Sequence, residues 1–105
     1  MLLHSDQENF NNNVINSNKL ILVDFFATWC GPCQMLAPVL EKLSSSDNSF
    51  DIVKIDIDSN IDLAVKYNID VVPTLVIFKD GKELDRTMGF LDYTDLSNFI
   101  NKYKE

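Results

Sequence analysis

The apolar pattern of the chain spells an α/β architecture, a central mixed sheet of four to five strands with about four helices on its two faces. Three observations carry it. Two apolar runs rich in β-formers, "KLILVDFFA" from Lys19 to Ala27 and "FDIVKIDID" from Phe50 to Asp58, suit strands buried on both faces. A helical pattern separates them, so they run parallel with a right-handed crossover. The stretch "TLVIFKDGKELDRTMGF", which starts at Thr74, reads as two strands turning through Lys79-Asp80-Gly81-Lys82. Asp-Gly favours a tight hairpin, which adds an antiparallel edge.

Taken in order, Leu2 and Leu3 fit a short first strand. Ser5 followed three residues later by Glu8 makes a capping box, and Phe10, Val14 and Ile15 give a helical stripe that fades at Asn16-Ser17-Asn18. After the Lys19–Ala27 strand, the pattern turns helical from Pro32: Met35, Leu36, Val39, Leu40 and Leu43 recur at intervals of three and four, with Pro38 inside as an expected kink. A short helix through Leu63, Ala64 and Tyr67 follows the second long strand, and Asn68 suits its left-handed C′ position. The last helix starts at about Asp92 or Thr94 and runs through Leu96, Phe99 and Ile100. No internal repeat or linker breaks the chain, so one domain over residues 1–105 is expected.

Composition narrows the function. With 105 residues and 46% hydrophobic content, the chain can bury a core without cross-links or a structural metal. Its apolar runs are too short to span a bilayer. The opening "MLLHSDQENF" lacks the basic start, apolar centre and cleavage site of a secretory signal, so a cytoplasmic location is expected. A net charge of −7, with sixteen acids and no basic cluster, opposes binding to nucleic acid or anionic membranes.

The two cysteines stand in "TWCGPCQ", Thr28 to Gln34. A zinc site needs four ligands, and beyond Cys30 and Cys33 the chain offers only His4, far away in sequence. A purely structural disulfide enclosing Gly31 and Pro32 would constrain the unfolded chain little. Redox chemistry fits better, because the first turn of a helix after a strand brings two thiols close while leaving their bond openable. Pro32 favours helix initiation, which puts Cys30 at the helix N-terminus, where free N–H groups and the dipole stabilise a thiolate. Cys30 is thus the expected nucleophile. Cys33, one turn further in and expected to be more covered, is suited to attack the resulting mixed disulfide. Metal binding and inert cysteines remain the alternatives at this point.

Four segments together resemble thioredoxin: "VDFFATWCGPC" from Val23 to Cys33, "KIDID" from Lys54 to Asp58, "VPTLVIFKDGK" from Val72 to Lys82, and Gly89. The match covers nearly the whole chain in order and spacing. The resemblance implies the thioredoxin fold, a three-layer α/β/α sandwich. Asp24 interrupts an apolar strand, where burial would raise its pKa and fit it for proton transfer; the plainer alternative for the residue alone is a strand-end acid facing water. The resemblance makes Asp24 the acid that helps Cys33 lose its proton, with Lys54 as a supporting neighbour. It also implies that Pro73 is cis and lies against the cysteines, although an ordinary trans proline is the plain reading of the residue itself. Val72 and Thr74 then flank a backbone edge that an extended client segment can pair with. Trp29 could be a core aromatic, but beside Cys30 it suggests an exposed rim with Gly31, Pro32, Val72, Pro73 and Gly89.

Phe26, Gln34 and Val71 depart from the family pattern, which more often has tryptophan, a basic residue and a small residue there. "DIDSNID" from Asp56 mimics the start of a calcium loop, but Ile61 stands at the turn glycine position and Tyr67 at the bidentate glutamate position. His4 has no partner in view. The implied activity is reduction of protein disulfides by a Cys30–Cys33 dithiol with no bound cofactor, contributing to redox homeostasis. Electrons would come from NADPH through thioredoxin reductase. Clients such as ribonucleotide reductase, peroxiredoxin or methionine sulfoxide reductase are implied, and a monomer is expected. The competing readings are an oxidase or isomerase of an oxidising compartment, and a binding module with incidental thiols.

Overall fold

Successive strand residues point to opposite sides of a sheet, and here that alternation divides the apolar side chains between two faces. The computed structural model describes residues 1–104. Its strands are β1 (Leu2–Ser5), β2 (Ile21–Phe26), β3 (Asp51–Asp56), β4 (Thr74–Lys79) and β5 (Lys82–Met88). Its α-helices are α1 (Gly31–Ser46), α2 (Ile61–Lys66) and α3 (Tyr93–Asn101), and a π-helical segment, Asn11–Ile15, precedes β2. The sheet order is β1-β3-β2-β4-β5. β3 pairs in parallel with β1 and β2, whereas β4 is antiparallel to both β2 and β5.

On one face Leu22, Ile52, Leu75 and Ile77 pack against Leu36 and Leu40 of α1 and Leu96 and Ile100 of α3. On the other, Val23, Phe25, Val53, Ile55, Val76 and Phe78 pack against Phe10, Val14 and Leu63. The result is three layers with β2 at the centre. Both expected buried strands are covered on both sides, as their predominantly apolar runs require.

The N-terminal capping box does not form. Ser5 belongs to β1 and pairs with Ile55, and the backbone N–H of Asn9 is instead accepted by Asp6 at 2.9 Å. The expected helix shrinks to the π-helical segment, because the chain must return to the sheet within a few residues. Elsewhere the local signals hold. Asn68 closes α2 with φ 55°, and Asp80 and Gly81 form the hairpin turn with φ 52° and 80°. α1 continues through Pro38, which has no N–H to offer the Gln34 carbonyl. Among the described residues, no helix is long and apolar enough to cross a membrane.

Candidate active site

β2 ends at Phe26 and α1 begins at Gly31, so the linking turn places Cys30 at the helix N-cap in extended conformation. There its Sγ accepts the Cys33 backbone N–H at 3.2 Å, the bond a capping oxygen ordinarily makes. The two Cα atoms are 5.2 Å apart, and the cysteines are joined as a disulfide. Cys30 is 5% exposed and Cys33 4%, so both are buried and nearly to the same degree. Ala27 and the half-buried Phe26, Ile57 and Val72 pack around both. Gly31 and Pro32 lie exposed above them.

The loop before β4 closes the site from the other side. The Val72–Pro73 peptide is cis, and the Val72 carbonyl oxygen lies 3.6 Å from Cys30 Sγ. Thr74 Oγ1 donates to the Val71 carbonyl at 2.6 Å, and the Gly89 N–H donates to the Pro73 carbonyl at 2.8 Å. Gly89 has φ 90°, a conformation side chains disfavour. Among the described residues, no backbone hydrogen bond outside the helices and strands uses the N–H or carbonyl of Val72. Trp29 is 69% exposed, and its Nε1–H donates to Asp58 Oδ2 at 2.8 Å. Gln34 Nε2 donates to the Thr28 carbonyl at 2.9 Å and ties down the same turn.

Asp24 has the parity of Leu22 and Phe26, so it lies on the α1 side of the sheet, the side that carries the cysteines. It is fully buried, and among the described residues neither carboxylate oxygen has a hydrogen-bond partner. Lys54 is its register neighbour on β3, with Nζ 3.8 Å from Oδ2, an ion pair too long for a hydrogen bond. Burial pushes the Asp24 carboxyl up to about 6, and the Lys54 cation only partly offsets that. Phe26 takes part as well: Lys54 Nζ stands 4.8 Å from its ring centroid. His4, register neighbour of Lys54 on β1, meets the Phe26 edge at 6.1 Å and is exposed.

The fold thus gathers Cys30, Cys33, Trp29, Gly31, Pro32, Val72, Pro73, Thr74 and Gly89 at one end of the sheet, with Asp24 and Lys54 behind them. Two contributors escaped sequence reasoning. Asp58 falls in a stretch that reads only as strand end and helix cap, and its signal was an acid just beyond a strand parallel to the one feeding the cysteines. Phe26 as a platform for Lys54 follows only from register. Among the described residues, no group of three or more His, Cys, Asp or Glu could hold a metal ion.

This is the arrangement of a dithiol–disulfide oxidoreductase, and comparison with known proteins agrees. The Thioredoxin family model matches residues 1–102. The thioredoxin of Chlamydia trachomatis serovar D is 46% identical over 98 residues, covering 93% of this chain and 94% of that protein. The thioredoxin of Staphylococcus haemolyticus is 45% identical over 96 residues, covering 90% of each. The chain belongs to the thioredoxin family. It catalyses thiol–disulfide exchange with its own cysteine pair and no prosthetic group, Cys30 and Cys33 standing at the redox-active positions. Disulfide-containing substrates and a reductase partner come with the family.

Proposed function

We propose that the chain works as a reductant of protein disulfides in which Cys30 is the nucleophile, Cys33 the resolving thiol and Asp24 the proton-transfer group. One observation carries this reading: Cys30 Sγ caps α1, accepts the Cys33 N–H and faces the Val72 carbonyl. In the dithiol form the Cys30 thiolate keeps that N–H and the helix dipole as its stabilising partners. It attacks one sulfur of a client disulfide, forms a mixed disulfide and expels the client's other sulfur as a thiolate. Cys33 gives its proton to Asp24 and attacks Cys30 Sγ, releasing the second client thiolate and leaving the Cys30–Cys33 disulfide. Two electrons pass to the client. Lys54 supports Asp24 by stabilising its ionised form between turnovers.

An extended client segment pairs with the backbone of Val72 beside cis-Pro73, while Trp29, Gly31, Pro32 and Gly89 frame it; Thr74, 1% exposed, acts from beneath by holding the Val71 carbonyl. Main-chain pairing demands little of client sequence, which suits ribonucleotide reductase, peroxiredoxin or methionine sulfoxide reductase as clients. NADPH supplies electrons through thioredoxin reductase. We place the protein in the cytoplasm as a monomer with one domain over residues 1–105.

The test is insulin reduction coupled to thioredoxin reductase and NADPH. Wild type is expected to turn over, Cys30→Ser to be inactive, and Cys33→Ser to accumulate mixed disulfides through Cys30. Clients that fail to be trapped by Cys33→Ser would remove the nucleophile assignment. A redox titration adds direction. A midpoint near about −270 mV, the class figure for thioredoxin rather than a value obtained from this geometry, fits a reductant, and one near about −120 mV fits an oxidase.

A further inference from the structure

Beside the cysteine pair a groove of about 370 Å³ runs along α2. Ile57, Ile61, Val65 and Ile69 supply apolar walls, Asp58 and Asp70 supply carboxylates, and no Lys, Arg or His lines it. Ile61 and Val65 lie one turn apart on α2 and are 63% and 69% exposed. Only Leu63 of that helix is buried, so α2 turns an apolar strip to solvent. Asp58 and Asp70 are exposed, and among the described residues neither takes part in an ion pair.

The groove is continuous with the redox site at three points. Ile57 packs against the cluster of Cys30 and Cys33, Asp58 holds the Trp29 indole, and Asp70 leads directly into Val71, Val72 and cis-Pro73. A client segment paired at Val72 therefore has neighbouring residues within reach of it. An acidic segment there meets two unpaired carboxylates on a chain of net charge −7, whereas a cationic one is attracted by both.

We propose that this groove selects, among disulfide clients, those carrying an apolar side chain flanked by Lys or Arg close to the disulfide, with Asp58 and Asp70 as the specificity-determining residues. The inference rests on the exchange reaction proposed above and names its substrate class. The apolar side chain lies between Ile61 and Val65, and the cations stand against the two carboxylates. The exchange itself is unchanged: the client disulfide gains two electrons and the Cys30–Cys33 dithiol loses them.

The test uses two disulfide-closed peptides of one length, each with a leucine beside the disulfide, flanked by arginines in one and glutamates in the other. Their reduction by the pre-reduced protein is followed as thiol release. Wild type is expected to reduce the arginine peptide about tenfold faster at low ionic strength, and the ratio to fall towards unity in about 0.5 M salt. Asp70→Lys is expected to bring the ratio to about threefold or less, Asp70→Asn to an intermediate value, and Ile61→Ser to slow both peptides. Equal wild-type rates, a preference that survives salt, or a ratio indifferent to both Asp70 variants overturns the groove assignment and leaves the exchange reaction standing. Failure to reduce either peptide overturns the exchange reading and this inference with it.

Discussion

Asp24 shows how much one residue can cost a fold. Its carboxyl moves from an ordinary 3.8 to about 6 because burial penalises the charge more than Lys54 repays it. The folded chain then holds its proton more tightly than the unfolded chain does. Between those two values, folding takes up a proton, so stability falls as pH rises and is lower by roughly 3 kcal/mol once pH passes 6. Asp24→Asn is expected to remove that slope. Its stability relative to wild type should climb between about pH 4 and pH 6 and then level off, read from urea titrations at a series of pH values. The same variant should slow client release near neutral pH, where Asp24 is needed as a base, and single-turnover kinetics with a trapped mixed disulfide would show it. The acid itself was legible, since a lone Asp in "LILVDFF" stands out. The position of Lys54 opposite it was not, because register between strands distant in sequence is set by the whole sheet.

Among the elements, turns and caps were read most accurately where chemistry is local. Asp80-Gly81 forms its turn with both residues in the left-handed region, and an added Cβ at Gly81 would meet the Ile15 carbonyl at 3.0 Å. Gly81→Ala is therefore expected to lose about 1–2 kcal/mol in urea denaturation, from the left-handed backbone and the shift forced on Ile15. α1 depends on burial instead. Leu40 is fully buried beneath it, and Leu40→Ala should cost about 2–5 kcal/mol through lost transfer energy and the cavity left behind. The first helix was misread for a physical reason. Ser5 and Glu8 make a good capping signal, but pairing Ser5 with Ile55 satisfies its backbone in the sheet, Asp6 accepts the Asn9 N–H in the turn that follows, and the helical segment begins at Phe10 without a side-chain cap. Local propensity lost to a ladder bond formed with a residue fifty positions away.

Across the whole molecule, two apolar clusters lie on opposite faces of one sheet, and β2, β3 and β4 contribute to both. Loss of either face strips the other of its floor. Thermal unfolding of the oxidised chain is expected to be a single transition, with Trp29 fluorescence and far-ultraviolet circular dichroism giving the same midpoint; separate midpoints would show the faces melting independently. The redox site belongs to this scale as well. The strands, the three α-helices, the hairpin and the redox motif were legible along the chain, because apolar periodicity, Asp-Gly and Cys-Gly-Pro-Cys act over a few residues. Tertiary structure alone decided that Val72 faces Cys30 from 42 positions away, that Lys54 sits over Phe26 and beside Asp24, and that Asp58 holds Trp29. Those contacts join segments that meet only when the sheet has closed, and no local pattern encodes which of several carboxylates or carbonyls will then be nearest.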